Sequence, residues 1–378
     1  MVPVAMKTLI VGNGIIGLTT ALRLAQRGDA VTVIGDPART GSATLAAAAM
    51  LSAFGEVDAG VLATDMGRMK LELGIRAGQL WTPFAEEIGG VPWGGDTFIL
   101  DSGGLDDAVR FDAIVAALRE YNARYDLVRP SQVPAAPLRP VRRAVKIHEG
   151  SIDPRGVIAG LDVTLERLGV ERIDAIATRV RYAEGSESPW AIELADGRVV
   201  EGTHAVLANG AQLTKLLDAS ALPIEVPPVL YGVGSTLEVA HWGRDNDLAI
   251  LRGRGVYLVT YEQRIVVGST SRVVAEPVDD AGAAKTILDA AAEFLDHHFA
   301  DAEVLDVMTG WRPTTADGYP LIGMTRLPGL AIASGTRRDG FHLAPVIAEQ
   351  LAAVLHGERG DPRFRPFSPE RDVQSQAR

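Results

Sequence analysis

No cysteine occurs among the 378 residues of the chain. Disulfides, thiolate metal ligands, thiol nucleophiles and a cofactor attached through sulfur are therefore excluded. Basic residues are also in the minority, because 37 Lys and Arg stand against 48 Asp and Glu, a formal net charge of −11. Phosphate binding needs a basic face and no basic run offsets this balance, so a nucleic-acid partner is not expected.

The sequence also lacks a long apolar segment. Its uncharged stretch at 40–55 is too short and too rich in small residues to cross a bilayer. The apolar segment in MVPVAMKTLIVGNG continues into glycines without a cleavage-like site, which indicates a buried strand rather than a signal peptide. We therefore expect a soluble, cytoplasmic protein without a membrane partner.

Histidine is scarce, with seven residues. The pair His297 and His298 lacks the third ligand that a metal site needs, so no metal is expected. A histidine on a helix face, such as His342, is more often a packing residue than a catalytic one, and no carboxylate pair stands out as acid and base. The sequence thus offers no catalytic group of its own.

The features that are present fit a large folded protein, with 47% hydrophobic and 22% charged residues. The length exceeds that of a usual single domain, so two domains, in series or interleaved, are expected. Clustered prolines at 130–140 mark crossing points between units, and 223–306 is rich in strands. Helices are predicted at 107–121, 154–168, 281–299 and 340–355, and disorder is predicted after Pro362.

The first motif is a strand ending at Gly12-Asn-Gly14-Ile-Ile-Gly17, followed by a helix to Arg27 and a second strand at 30–34. This strand, glycine turn, helix and strand form the complete context of a dinucleotide-binding fingerprint. Gly12 permits the turn, Gly14 lets the backbone approach a pyrophosphate, and Gly17 lets the helix pack closely on the strand. Gly35 stands where an acidic residue usually holds the ribose, so Asp36, one residue later, is the candidate for that role.

The next segment, RTGSATLAAAAMLSAFGE at 39–56, consists mostly of small residues. Its composition favours a well-packed buried helix. The alternative is a backbone that passes close to a flat cofactor, where only small side chains fit.

Two motifs near the C-terminus each contain arginine: TGWRPTTADGYPLIG at 309–323 and GTRRDGFHLAP at 335–345. Together with the glycine fingerprint, AAAAML and VLANGA, they resemble the FAD-dependent amine oxidases of the D-amino acid oxidase superfamily, and the glycine oxidases in particular. The resemblance covers nearly the whole chain in the same order. It implies α/β and α+β architecture, with a Rossmann-type FAD-binding domain interleaved with an antiparallel-sheet substrate-binding domain.

The resemblance also implies domain boundaries and a site. The FAD-binding domain would comprise 1–80, 141–218 and 306–362, the substrate-binding domain 81–140 and 219–305, and a disordered tail 363–378. FAD would be bound non-covalently by Gly12, Gly14, Ile15, Ile16, Gly17, Gly35, Asp36, Ala43, Thr44, Ala48, Ala49, Met50, Val180, Ala208, Gly210, Gly335, Thr336, Arg338, Asp339, Gly340 and Phe341. The substrate would contact Arg312, Arg338, Arg337, Tyr257, Met50 and Ser52.

Two positions depart from the family pattern. Ala49 replaces a glycine beside the flavin, and Asp339 replaces an asparagine. The helix at 340–355 would direct its N-terminus toward the flavin and favour its reduction by an amount on the order of 1 kcal/mol.

Arginine suits a substrate carboxylate because its planar fork binds two oxygens and stays charged. Arg312 lies between Trp311 and Pro313, which would hold it in an apolar wall. The alternative for Arg312 is an ion pair with Asp317, and the alternative for Arg338 is a solvated charge on the first helical turn.

The resulting hypothesis is oxidation of an amine whose α-carbon bears a carboxylate, with hydride transfer to flavin N5 and reoxidation by O2 to hydrogen peroxide. Arg337 stands where related oxidases carry an uncharged residue, so the substrate is predicted to carry a second carboxylate, as an N-carboxymethyl amino acid does. Its oxidation would give glyoxylate and a free amine. The alternatives are glycine oxidation for thiazole synthesis, a broad D-amino acid oxidase, an NAD-dependent dehydrogenase and a non-catalytic flavin-binding protein. The oligomeric state stays open, including a homo-oligomer.

Overall fold

The computed structural model describes residues 6–134, 140–241, 249–261 and 264–372. The strands are β1 Lys7–Val11, β2 Ala30–Gly35, β3 Trp93–Gly94, β4 Asp96–Asp101, β5 Tyr125–Val128, β6 Arg143–Ile147, β7 Ser151–Ile152, β8 Glu171–Asp174, β9 Ala177–Tyr182, β10 Trp190–Leu194, β11 Val199–Gly202, β12 His204–Leu207, β13 Leu230–Ala240, β14 Ala249–Gly253, β15 Val256–Thr260, β16 Arg264–Gly268, β17 Arg272–Val274, β18 Val304–Thr314, β19 Leu321–Met324 and β20 Leu330–Ser334. The α-helices are α1 Ile15–Gln26, α2 Asp65–Glu87, α3 Leu105–Glu120, α4 Pro154–Arg167, α5 Leu213–Ser220, α6 Ala283–Phe294 and α7 Gly340–Leu355. Short 3₁₀ helices lie at Phe54–Glu56, Val61–Ala63, Pro130–Gln132, Gly210–Gln212, His297–Asp301 and Pro362–Phe367. Within the described residues, no helix is long and apolar enough to cross a membrane.

A six-stranded sheet forms the first half of the fold, in the order β19-β20-β12-β1-β2-β8. Its five strands from β20 to β8 run parallel, and β19 pairs antiparallel with β20. The continuous apolar runs of β1 and β2 suit this position because both faces are covered. Helices α1, α2, α4 and α7 pack on one face, and the three-stranded sheet β11-β10-β9 lies on the other. This half has the predicted Rossmann-type arrangement.

The local helix signals agree with the structure. Asp153 caps α4 by accepting a hydrogen bond from the Arg155 amide at 3.1 Å, and Pro154 occupies the first helical position. The predicted helices at 107–121 and 340–355 correspond to α3 and α7.

A nine-stranded, mostly antiparallel sheet forms the second half, with its core against α6. The resemblance assigned residues 143–147 to the FAD-binding segment 141–218. In the structure these residues form β6, which belongs to the nine-stranded sheet. β18 pairs along β13 in the same sheet, whereas the end of α2 packs in the core beneath the six-stranded sheet. The predicted boundaries near 81, 141 and 306 therefore do not coincide with sheet membership, because single elements pass from one layer to the other.

The predicted disorder of the tail at 363–378 is wrong for residues 363–372. Phe364 and Phe367 are buried in the main core, with 3% and 0% of their surface exposed. Arg371 donates from Nε and Nη2 to the Asp317 carboxylate, at 3.0 and 2.9 Å. Two buried phenylalanines outweigh the polar composition of the tail. Residues 373–378 lie outside the described residues.

Candidate active site

A long cavity lies at the carboxyl ends of the parallel strands. Its wall includes the ends of β1 and β2 and the residues that follow β8 and β12. β1 pairs with β2 on one side and β12 on the other, so loops diverge at this edge and leave room for a ligand. From there the cavity continues to the nine-stranded sheet, where β14, β15 and β18 complete the wall.

The glycine turn after β1 is shaped for the close approach of an anion. Gly12 has φ +121°, and a Cβ on it would lie 2.3 Å from the Ala208 carbonyl oxygen. Gly14 is the N-cap of α1 and offers no side chain to its amides, and no acidic residue occupies the first turn. A helix start of this kind favours phosphate, so these residues fit the pyrophosphate of a dinucleotide. Gly17 lies behind the turn, where a Cβ would lie 2.0 Å from the Gly12 carbonyl oxygen.

Asp36 lies on the cavity wall after Gly35. Its carboxylate accepts hydrogen bonds from the amides of Thr40 and Ala38 at 3.0 and 2.9 Å. These bonds, that of Thr40 first, lower the pKa of Asp36. The carboxylate is therefore ionised and positioned by its own loop, and it retains lone pairs for the hydroxyls of a ribose.

Besides Gly17, two predicted cofactor residues do not line the cavity. Val180 is fully buried in β9, and its amide donates to the Ser220 hydroxyl at 2.8 Å. Residues 175–177 take the corresponding part of the wall, and Val180 does not line it. Gly335, at φ +69°, turns the chain behind the wall and does not line it.

The small-residue segment at 40–53 is not the buried helix that its composition favours. It forms turns and irregular backbone, and Ala43, Thr44, Ala48, Ala49, Met50 and Ser52 from it line the cavity. Its backbone bonds to distant elements, since the Ala46 carbonyl accepts from Thr236 and the Leu51 amide donates to Gly150. Ala49 adopts φ +42°, a left-handed conformation that favours the glycine expected there. The segment thus brings backbone, rather than bulky side chains, to the cavity.

The N-terminus of α7 faces the cavity through Thr336, Asp339, Gly340 and Phe341. The Asp339 side chain does not cap the helix and instead forms an ion pair with Lys70 of α2. Burial lowers the pKa of Lys70, but the Asp339 carboxylate outweighs this effect and the net pKa is raised. Lys70 therefore balances the charge that aspartate adds at this position.

Arg312, in β18, reaches the cavity between Trp311 and Pro313. Its Nη1 donates to the Thr270 carbonyl oxygen at 3.2 Å, and among the described residues no carboxylate lies within ion-pair distance. Burial lowers its pKa. The alternative of an ion pair with Asp317 is wrong, because that carboxylate is bound by Arg371.

Tyr257, in β15, lies beside Arg312 and pairs in register with Arg252 of β14. Burial raises the pKa of Tyr257 to about 12, although Arg312 and Arg252 oppose the shift. Its hydroxyl therefore stays protonated at neutral pH and can donate a hydrogen bond to a carboxylate.

The two consecutive arginines differ in their surroundings. Arg337 adopts φ +51°, its amide donates to the Pro313 carbonyl at 2.7 Å, and its exposed side chain lines the cavity. Arg338 forms an ion pair with Glu56 at 2.9 Å, which raises the pKa of Arg338. The alternative of a merely solvated Arg338 is therefore wrong.

Sequence reasoning missed four charged residues of the wall: Arg39, and the cluster formed by Glu56, Arg110 and Arg252. Arg252 is 6% exposed and donates from Nη2 to Glu56 at 2.6 Å. Burial would raise the pKa of Glu56, but Arg252, Arg338 and Arg110 lower it to about 2. Of Glu56, Arg110 and Arg252, only Arg252 lies in the strand-rich region 223–306, and no short motif links it to the other two.

His342 is buried on α7 and donates from Nε2 to the Gly74 carbonyl at 2.8 Å, while its Nδ1 has no partner. Burial lowers its pKa, so the ring stays neutral.

His297 and His298 were expected to lack a third metal ligand. In the structure Asp296 brings a third ligand atom within 4.8 Å of the two histidines, so this argument against a metal is incomplete.

Comparisons with known proteins give relatives that match most of the chain. The chain is 28% identical over 98% of its length to the Bifunctional protein ThiO/ThiG of Nostoc sp., of which it spans 55%, about half. It is 25% identical to the Glycine oxidase of Geobacillus kaustophilus over 96% of both proteins. The crystal structure of a glycine oxidase from Geobacillus kaustophilus matches 98% of the chain and 100% of its own with TM-score 0.83 at 21% identity. That of iminodiacetate oxidase from Chelativorans sp. BNC1 matches 96% and 98% with TM-score 0.80 at 21% identity; both structural matches show the fold alone. The model of the family described as FAD dependent oxidoreductase matches residues 7–354, and the chain therefore belongs to this FAD-dependent family.

Proposed function

We propose that this chain oxidises an N-substituted glycine that carries a second carboxylate, giving glyoxylate and a free amine. The observation that carries the proposal is the half-buried Arg312 guanidinium, which faces the cavity without a carboxylate partner in the described residues. A buried charge without a partner is costly, so an anionic ligand at this position stabilises the site.

Arg312 and Tyr257 hold the glycyl carboxylate in this proposal. The arginine offers two parallel N–H donors, and the protonated tyrosine hydroxyl offers a third. FAD supplies the two-electron acceptor when it is bound at the glycine turn and along the segment 43–50. Fixing the carboxylate restricts the α-carbon to one orientation toward the α7 end of the cavity.

The reaction balances without an acid or base from the chain. The α C–H and the amine N–H of the substrate are lost with two electrons, and water adds to the resulting C=N bond and releases glyoxylate. O2 accepts the two electrons and two protons and becomes hydrogen peroxide. His342 stays neutral and buried, and Glu56 is occupied by arginines, so neither serves as a proton acceptor.

The second carboxylate is supported by the number of arginines. Five line this end of the cavity: Arg110, Arg252, Arg312, Arg337 and Arg338. They face the carboxylates of Glu56 and Asp339, and Asp339 is already paired with Lys70. A monoanion leaves most of this charge uncompensated. Iminodiacetate oxidase, one of the structural matches, is named for an amine with two carboxylates.

Peroxide formation by the purified yellow protein tests the proposal, with glycine, sarcosine, iminodiacetate and N-carboxymethyl amino acids as substrates. Arg312→Met should lose at least about 100-fold in kcat/KM on every substrate while retaining FAD. Arg312→Lys should recover only part of this activity, because lysine keeps the positive charge but lacks the bidentate fork. A colourless protein, or an Arg312→Met variant with wild-type kinetics, would refute the proposal. Glycine as the best substrate would favour simple glycine oxidation instead.

A further inference from the structure

We infer that the cavity contains a second anion subsite built from Arg252 and Arg110, which binds the distal carboxylate of the substrate. The inference rests on the proposed function for the identity of the ligand. It differs from the sequence-based expectation, which gave this role to Arg337 or Arg338. The proposed subsite lies beside Tyr257, because Arg252 pairs in register with Tyr257 and lines the same cavity as Arg312.

The Arg252 guanidinium is buried and only partly satisfied. Its side chain is 7% exposed, and Nη2 donates to Glu56, but the buried Nη1 has no hydrogen-bond partner. Buried polar atoms in native proteins are nearly always paired, so an orphaned arginine donor on a cavity wall indicates a ligand or a water. Arginine in such a position is suited to a carboxylate.

The local charge is also unbalanced. Arg252 and Arg338 form ion pairs with Glu56, and Arg110 lies within the same electrostatic cluster while its Nη2 donates to the Gly55 carbonyl at 2.6 Å. Burial lowers the pKa of Arg110 to about 10, and Arg252 adds to this effect. Glu56 is thus shared by three guanidinium groups, while Asp107 acts on Arg110 and Asp58 and Asp339 act on Arg338 from a greater distance. An incoming carboxylate reduces the positive charge that is left beside Arg252.

Arg337 is less suited to this role. Its side chain is exposed, so water screens its attraction for a ligand and its flexibility must be lost on binding. Arg252, by contrast, is held in a strand in the middle of the sheet, between β4 and β15, and its guanidinium is already ordered by Glu56.

The test measures binding of non-reacting acids to the FAD-loaded protein, through the change in flavin absorbance. Succinate, glutarate and adipate are compared with butyrate, a monocarboxylate. Arg252→Met is the test variant. Arg254→Met is the matched control, because Arg254 lies two residues away in the exposed turn after β14.

Arg252→Met should weaken the affinity for the best dicarboxylate by on the order of 10- to 100-fold. The loss of affinity for butyrate should be smaller than this loss by at least about tenfold. Arg254→Met should leave the ratio of the two affinities within about twofold of wild type. Equal losses for dicarboxylate and butyrate in Arg252→Met, or a selective loss in Arg337→Met alone, would overturn the inference.

Glu56→Gln provides a second variant, for which the expected change in dicarboxylate affinity is the opposite. Removing the competing carboxylate should tighten dicarboxylate binding, so a weaker or unchanged affinity would also overturn the inference, whether or not Arg252→Met folds.

The proposed function and the proposed subsite can fail separately. If wild type oxidises none of the amines, the proposed function fails while the affinity ratio still tests the subsite. If it oxidises them but Arg252→Met loses mono- and dicarboxylates equally, the subsite alone fails.

Discussion

The ion pair between Lys70 and Asp339 joins α2 to the start of α7 at the cavity wall, and its removal has a calculable effect. Breaking a buried ion pair by removing one partner costs about 3–5 kcal/mol, because the other charge is left buried. Here 23% of the lysine side chain and 10% of the aspartate side chain are exposed, so water reduces the cost. We therefore expect Lys70→Met to lower the free energy of unfolding by about 2–3 kcal/mol.

A double-mutant cycle separates the pair from general packing effects. Asp339→Asn should cost about 1 kcal/mol, since the freed lysine can extend toward water. The double variant should be about 2 kcal/mol more stable than the sum of the two single losses predicts. Urea unfolding of the FAD-loaded protein, with linear extrapolation, gives these values. Additive losses within about 0.5 kcal/mol would show that the pair contributes nothing of its own and refute the reasoning.

The pH dependence of the stability provides a further check on the contribution of this ion pair. The folded pKa of Lys70 is raised above 10.5, so the stabilisation is fully present below pH 10.5 and is lost as the pH rises through the folded pKa. The stability gap between wild type and Lys70→Met should therefore be the same at pH 7 and pH 9.

Three further outcomes are expected. Phe367→Ala should lower the free energy of unfolding by about 3–5 kcal/mol, because the ring is fully buried; a loss below about 1 kcal/mol in urea unfolding would contradict an ordered tail. Gly12→Ala should give colourless protein, because the added Cβ would lie 2.3 Å from the Ala208 carbonyl oxygen in the FAD-binding turn. Gly28→Ala, at φ +89° but with no atom within 4 Å of the added Cβ, should keep its FAD absorbance, and equal flavin content in both variants would refute this steric argument. The stability gap between wild type and Glu56→Gln should be constant above pH 4.5 and disappear as the pH falls toward 2, whereas a gap independent of pH would exclude the lowered pKa of Glu56.

The parts of the fold that were predicted correctly depend on local signals. Gly17 is required by the carbonyl oxygen of Gly12, five residues before it in the same turn. Asp153 and Pro154 start α4 through their own backbone geometry. The pattern of such residues is readable in sequence order because the interacting groups are neighbours in the chain.

The errors come from contacts between distant segments. The stretch at 40–53 has the composition of a buried helix, but its backbone bonds to β13 and to Gly150. The polar tail is ordered because Phe364, Phe367 and Arg371 meet partners from the core and from Asp317. Tertiary burial of this kind outweighs local propensity.

The sequence by itself determined the dinucleotide-binding turn, the FAD-dependent family through its two arginine motifs, and the candidate role of Arg312. Only the tertiary structure decided which charges meet in the cavity. Glu56, Arg110 and Arg252 come from a 3₁₀ helix, an α-helix and a strand that no motif connects. Electrostatic energy depends on distance in space and on burial, and neither quantity is encoded in the spacing of residues along the chain.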